Sequence, residues 1–448
     1  MTDRLQDLTA RLLNAAGQAG ADAADAIAVH GTSLSIDVRT GALEQAERSE
    51  ATDIGLRVLL GQRQACVSAS DTSDATVATM AERAVAMARE APEDPHIGLA
   101  TPDQLAVAWD LAALDLADPA PEPTPQALED AARSAETAAR AVPGVTQVDS
   151  SSASFGRRAI HLAATNGFAG GYARTSHARF CVAITGEGLA MERDYFGDMR
   201  LHGTDLPSAE EIGRTAGERA AARAGARKPP TGAFPVIYDE RIASGLIGHL
   251  LGAVDGAAVA RGASWLLDAL GDQVLPAALS LTEDPLRPRG SGSKPFDAEG
   301  LPTAPRDIVR DGVLQGWTLD LATGRKLGLQ STANAARGPT APPAPSLTNV
   351  ELTLGDRSRE DLMAEIGTGL LVTSLIGASI NPTTGDYSRG ASGFWIENGT
   401  IVYPVNECTI AGNLRDMLKT VIPANDAKRH RSSIVPSLLV EGLTLAGD

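Results

Sequence analysis

The chain opens on helical spacing. Leu5, Leu8, Leu12 and Ala16 recur three or four residues apart and so line one face of a helix. The period then drops to two. Leu34, Ile36 and Val38 alternate with Ser33, Ser35, Asp37 and Arg39, the signature of a half-buried strand, and Ile54, Leu56 and Val58 repeat it. Val77, Met80, Ala84 and Met87 return to helical spacing. Thr124-Pro125 starts another helix, with Thr as cap and Pro at the first helical position, and Pro143-Gly144 stops it. Residues 145–204 read as strands joined by turns, and Asn166-Gly167 suits a hairpin because both residues tolerate positive φ. Ser208 with Glu211 forms a capping box for a helix running to about Arg223.

Residues 91–123, rich in Pro, Asp and Ala, predict a path over the surface. Residues 224–232, with Lys228-Pro229-Pro230, mark a boundary. It divides the chain into an N-terminal α+β domain, residues 1–228, and a strand-rich C-terminal domain, residues 233–448. In the second part, residues 234–238 predict a short buried strand feeding a helix that carries His249, and residues 262–270 and 358–367 predict two more helices. The proline-dense stretch 339–345 predicts a surface loop. Gly390-Ala391-Ser392-Gly393 followed by Phe394-Trp395-Ile396 reads as a strand, turning at Asn398-Gly399 into a second strand. The fold class predicted is α+β in two domains.

Composition narrows the functions. A chain of 448 residues with 43% hydrophobic content supports a sizeable core, while only 4% aromatics points to interiors packed by small and aliphatic side chains. No apolar run reaches the about 18 residues that a membrane helix needs, and the N-terminus has no secretory pattern, so the expected location is cytoplasmic. The net charge of −17 disfavours direct nucleic-acid binding, which depends on neutralising phosphates. Cys66, Cys181 and Cys408 are far apart and read as small buried hydrophobes, with Cys408 the one to examine for metal contact. Arg287, Arg289 and Lys294 make the most basic loop, expected to be solvated, with gripping of a substrate carboxylate as the alternative.

The candidate chemistry centres on Ser244-Gly245-Leu246-Ile247-Gly248-His249. A His-Glu-x-x-x-His segment would supply two metal ligands and a general base. Here Ser244 and Gly245 occupy the first His and Glu positions, and only His249 remains. A lone His on an apolar helix is more often a core residue than a ligand. Gly385-Asp386-Tyr387-Ser388-Arg389-Gly390 lacks the ending of a phosphate loop and does not open a helix.

Five ordered blocks together resemble one family: residues 243–253 around His249, 291–300 (Ser-Gly-Ser-Lys-Pro-Phe-Asp-Ala-Glu-Gly), 325–329, 385–395 and 410–414. They look like the PmbA/TldE branch of the TldD/PmbA family. In that family the TldD branch carries His-Glu-x-x-x-His and a late Cys that completes a zinc site. The TldE branch lacks them and pairs with TldD. The pair acts as a cytoplasmic metallopeptidase on unfolded or leader peptides, including microcin precursors and an antitoxin; an older label is modulator of DNA gyrase. In this chain the region equivalent to the late Cys, residues 424–435, contains no Cys. The resemblance therefore implies no catalytic residue and no metal in this chain, with zinc held by a TldD-like partner and Ser244, Gly245 and His249 as degenerate motif positions. Gly-rich strands suit close backbone approach, so Arg389, Gly390, Ser392 and Gly393 are the candidate substrate contacts. The alternative reading is a stand-alone peptide-binding or scaffold protein, as a homodimer, without peptidase involvement.

Overall fold

The computed structural model describes residues 2–447. Its first half contains α1 (Thr2–Gln18), β1 (Ala23–Arg39), β2 (Ala42–Leu60), β3 (Arg63–Ala69), α2 (Asp74–Glu90), α3 (Leu111–Leu114), α4 (Pro125–Arg140), β4 (Val145–Ala164), β5 (Ala169–Thr185), β6 (Glu192–Arg200) and α5 (Ala209–Ala221). The six strands form one antiparallel sheet in the order β3-β2-β1-β4-β5-β6.

The alternation along β1 decides what each face of that sheet does. Ala24, Ala26 and Ala28 pack with Ile54, Leu56 and Val58 under Leu5, Leu8 and Leu12 of α1 and Val77 and Met80 of α2. Farther along the strand, Leu34, Ile36 and Val38 meet Leu128 and Ala132 of α4. Met87, which the spacing placed with this stripe, is exposed, because α2 has turned that position past the sheet. The small alanines under α1 and α2 allow those helices to lie close.

The opposite face divides into two halves. At one end Ile27, Val29, Leu162 and Phe168 are buried with Phe296 from the second half of the chain. Phe296 sits edge-on to Phe168 and Trp109, with ring centroids 5.0 and 4.8 Å away. Residues 91–123, expected to run over the surface, instead contribute buried Ala100, Ala106, Leu114 and Leu116 to this layer. Their apolar positions are too sparse to announce a strand or helix, yet they seal the sheet. Asp25, also on this face, pairs with Arg57, and both are nearly out of water. Arg337, whose side chain is fully buried, adds a second cation to Asp25. Burial lowers the Arg337 pKa to about 10. Gly55 lies under the backbone of Pro339, where any Cβ would collide with that carbonyl. The proline stretch is therefore wedged against the first sheet at one end, while residues 340–342 are exposed.

The second half comprises β7 (Gly232–Tyr238), α6 (Glu240–Ala253), α7 (Gly256–Ala260), β8 (Leu281–Glu283), β9 (Arg306–Arg310), β10 (Val313–Leu314), α8 (Leu321–Leu327), β11 (Ala335–Ala336), β12 (Ala344–Pro345), β13 (Val350–Leu352), α9 (Arg359–Ile366), β14 (Gly369–Ile380), β15 (Asp386–Glu397), β16 (Thr400–Asn413), α10 (Leu414–Lys419), β17 (Ile422–Pro423), β18 (Ser433–Ile434) and β19 (Leu438–Ala446). A six-stranded sheet runs β16-β15-β14-β7-β19-β17, and β16 also pairs with β19, curling it towards closure. A smaller sheet runs β10-β9-β8-β13-β18. The helix predicted at 262–270 does not form. A five-residue helix, α7, precedes it, and Gly262 takes φ +71°, which ends helical geometry there. The Asn398-Gly399 turn forms with both residues at positive φ, 53° and 75°.

Candidate functional site

α6 follows directly from the buried strand β7 and is capped by Asp239, whose carboxylate accepts from the Arg241 amide at 3.2 Å. Ala243, Leu246, Ile247 and Leu250 bury one face against the curled sheet. Gly245 and Gly248 lie on the exposed side, with open space where a Cβ would stand. His249 is half-buried, and its ring meets the Tyr387 ring edge-on at 5.8 Å. The Tyr238 and Tyr387 hydroxyls lie 3.4 Å apart behind it. Burial, and then the positive charge of Arg389, push the His249 pKa below its ordinary value. Burial raises both phenols, so the imidazole and the two tyrosines are all neutral near pH 7.

This donor set does not fit a catalytic zinc. Such an ion takes about three protein ligands, usually imidazole, thiolate or carboxylate. Beside His249 stand two protonated phenols and a guanidinium, whose charge has the same sign as a metal ion. The Cys408 thiol donates to the Ala391 carbonyl at 3.2 Å. Burial pushes its pKa to about 11, so it stays a thiol. Among the described residues no group of three or more His, Cys, Asp or Glu is placed to hold a metal.

The singled-out residues fall into separate places. Ser244 and His249 are five apart and project from different sides of the helix. Ser244 lines a cavity of about 430 Å³ with Asp198, His430 and Arg431. There His430 approaches Asp198 at 3.2 Å. Burial opposes ionisation of Asp198, yet hydrogen bonds from His430 and Arg200 bring its pKa down to about 2. Gly390 and Ser392 line a larger cleft, of about 800 Å³, that lies between β15 and β16 on one side and β5 and β6 on the other. Arg389 points the other way, towards Tyr387, and its Nε is buried without a hydrogen-bond partner among the described residues. Gly393 packs against the Leu371 carbonyl, where a Cβ would collide, so its service is to strand packing. Around this cleft the ladder is irregular, with register shifts in β14 between Val372 and Ser374 and between Ile376 and Ser379, and opposite Ser392 in β15. Bulges of this kind gather near functional sites.

The basic loop is solvated only in part: Leu286, Pro288 and Arg289 are exposed, while Arg287 is half-buried. Arg289 bridges Asp115 and Asp205, and Lys294 is buried with its Nζ donating to the Ala335 carbonyl at 3.0 Å. Both tie the second half to the first or to itself. Asp386 bonds Thr384 and Asn413. Sequence reading missed the contribution of the first sheet. Phe180, Val182 and Tyr195 form one wall of the large cleft, and the Phe180 and Tyr195 rings meet tilted, with centroids 5.2 Å apart. Residue-type alternation along residues 178–184 was the available signal, since it marks a second apolar face.

Comparison with known proteins agrees with this architecture. Three domain descriptions of one family match in order: PmbA/TldA metallopeptidase domain 1 over residues 24–88, the central domain over 118–224 and the C-terminal domain over 231–447. The chain is 36% identical over 427 residues to the metalloprotease PmbA of Escherichia coli O157:H7, covering 95% of this chain and 92% of that one. A candidate modulator of DNA gyrase from Bacteroides thetaiotaomicron superposes with a TM-score of 0.91 at 25% identity, covering 100% of this chain and 99% of that one. TldE from Thermococcus kodakarensis shares the fold, with a TM-score of 0.86 at 20% identity over 98% of this chain and 100% of that one. No helix among the described residues is long and apolar enough to cross a membrane. The chain belongs to the PmbA/TldA metallopeptidase family.

Proposed function

We propose that this chain is the non-catalytic, TldE/PmbA-type subunit of a cytoplasmic heterodimeric zinc metallopeptidase that acts on unfolded or leader peptides. The observation that carries the reading is Ser244 and Gly245 on α6, where a hydrolytic helix would need a second imidazole and a carboxylate, with the positive charge of Arg389 acting on the remaining His249. A cation there repels a metal, and Gly245 offers no base to take the proton of an attacking water. In this reading a TldD-like partner holds the zinc and performs hydrolysis. This chain binds peptide along Gly390 and Ser392 and closes the chamber around it.

Co-expression with a TldD-like chain tests the proposal. The expected result is a stable 1:1 complex, with zinc and chelator-sensitive peptidase activity in the complex and neither in the isolated chain. His249→Ala should leave the activity of the complex within about threefold, the effect of a peripheral contact. Stoichiometric zinc and chelator-sensitive cleavage by this chain alone would overturn the reading. A homodimer that ignores the partner would replace it with a stand-alone peptide-binding protein.

A further inference from the structure

The outer face of the first sheet changes character halfway along β1. Beyond Val29 the same-face positions are Gly31, Ser33 and Ser35, opposite Arg158, Gly156 and Ser154 on β4. Across from those, β5 presents Arg174, Ser176 and Ala178, followed by Phe180 and Val182. Small side chains make this half of the face a smooth floor, and cavities follow one another along it. Arg174 and Ser176 line a first, of about 470 Å³. Ala178 and Phe180 line the second, which holds Ser244. Phe180 and Val182 line the third, the large cleft of Gly390 and Ser392. Met199 and Ser291 are shared by the first and second, and Phe180 by the second and third, so the three form one trough. From Arg174 to Val182 the strand rises about 26 Å, the reach of about eight residues of extended polypeptide.

The two ends of the trough differ in chemistry. At the first, Arg157, Arg158 and Arg174 face the single carboxylate of Asp53. Asp53 already accepts from the Ser70 hydroxyl at 2.6 Å. Arg174 is committed to the Ser291 and Ser293 carbonyls, and Arg157 to the Asp118 carbonyl. Arg158 is exposed and, among the described residues, enters no ion pair. In a chain of net charge −17 this is a local reversal of sign. At the other end Phe180, Tyr195 and Ile376 stand 36%, 44% and 77% exposed.

We infer that this trough binds an extended peptide segment carrying a carboxylate at the Arg158 end and a bulky apolar side chain, about six to eight residues away, at the Phe180 end. The inference rests on the reading of the large cleft as a peptide site and names the class of peptide it takes. A guanidinium with free donors recognises a carboxylate in a bidentate fork. The apolar wall takes an aromatic or aliphatic side chain out of water.

Fluorescence anisotropy on the purified full chain, without any partner, tests it. The probes are labelled, unstructured twelve-residue peptides with a Phe near one end. One carries an Asp-Glu pair near the other end and a C-terminal amide, one has Asn-Gln in place of that pair, and one has Asn-Gln with a free C-terminal carboxylate. The Asp-Glu peptide is expected to bind at least about tenfold more tightly than the Asn-Gln amide. Arg158→Glu should erase that difference, and the milder Arg158→Gln should reduce it. Phe180→Ala should weaken all three peptides alike and keep the acid preference. Tight binding of the free-carboxylate peptide would support carboxylate recognition and assign it to a chain end. Equal binding of acidic and neutral amides, or a preference indifferent to Arg158→Glu, would overturn the proposal. Failure of the subunit reading shows instead as no complex with a TldD-like chain and leaves this measurement unaffected.

Discussion

One face of one sheet carries two kinds of surface, and β1 crosses from the first to the second within a few residues. Asp25, Ile27 and Val29 lie under the second half of the chain, while Gly31, Ser33 and Ser35 floor an open trough. Backbone geometry is common to both stretches, with the same antiparallel register to β4 running through. The difference lies in the side chains and in what covers them. The sealed half accepts buried ionisable groups because each has a partner: Arg57 and Arg337 on Asp25, and the Leu321 amide on Glu299. The open half spends its positions on small hydroxyls that neither fill space nor demand partners. A single sheet thus anchors the two halves of the molecule to each other and keeps a channel between them.

The comparison breaks first at Asp25. Replacing it by Asn leaves two buried guanidinium groups facing each other without their anion. Removing one member of a buried pair typically costs about 3–5 kcal/mol, so the denaturant midpoint should drop sharply. Ser33→Asn, on the same strand in the open half, should stay within about 0.5 kcal/mol. Equal effects at the two sites would remove the distinction.

pH sharpens the contrast next. Burial, then the neighbouring Asp297 and Asp320, push the Glu299 pKa up to about 8 from 4.5. A raised carboxyl pKa means that the folded state holds the proton more firmly than the unfolded one. Its contribution is therefore full below pH 4.5 and is lost as pH climbs through about 8. Denaturant midpoints of the wild type should fall across that window, and Glu299→Gln should flatten the fall. An unchanged slope in Glu299→Gln would place the titration elsewhere.

A smaller effect is expected at Gly55. Gly55→Ala drives a Cβ into the Pro339 carbonyl and should cost about 1–3 kcal/mol by overpacking. The smallest belongs to the trough itself. Arg158→Glu should leave the thermal midpoint nearly unchanged while altering peptide binding, since an exposed charge contributes little to stability.

Much of this was readable from residue spacing. The α1 stripe, the inward Leu34, Ile36 and Val38, the caps at Thr124 and Ser208 and the Asn398-Gly399 turn all obey local rules, and the structure follows them. The helix assigned to 262–270 failed because apolar residues there serve a turn-rich packing layer, which has no period of its own. Likewise, nothing local marks Leu114 or Leu116 as buried, because their cover is distant in sequence. The helix of Ser244, Gly245 and His249 was legible as a motif with missing parts. What stands beside His249 was not, since Tyr387 and Arg389 arrive from a strand far downstream. Ser33 and Ser35 were visible as the polar half of an alternation. Their smallness gains meaning only once Ser154, Gly156 and Ser176 are aligned beside them by the sheet.

The pairing of Arg337 with Asp25 also bears on how the protein is made. Asp25 and Arg57 leave the ribosome early, whereas Arg337 follows only after most of the chain has been translated. At about 5–20 residues per second that delay is on the order of ten to sixty seconds. Throughout it Ile27, Val29, Leu162 and Phe168 have the cover of Leu99, Leu105, Ala106 and Trp109 but, for most of that time, lack the Phe296 ring that completes the layer. The nascent N-terminal half is then a natural client for chaperones that hold apolar surface. A fragment ending before β7 would leave that layer without Phe296 and Asp25 without Arg337, so the layer is completed only when the late residues arrive.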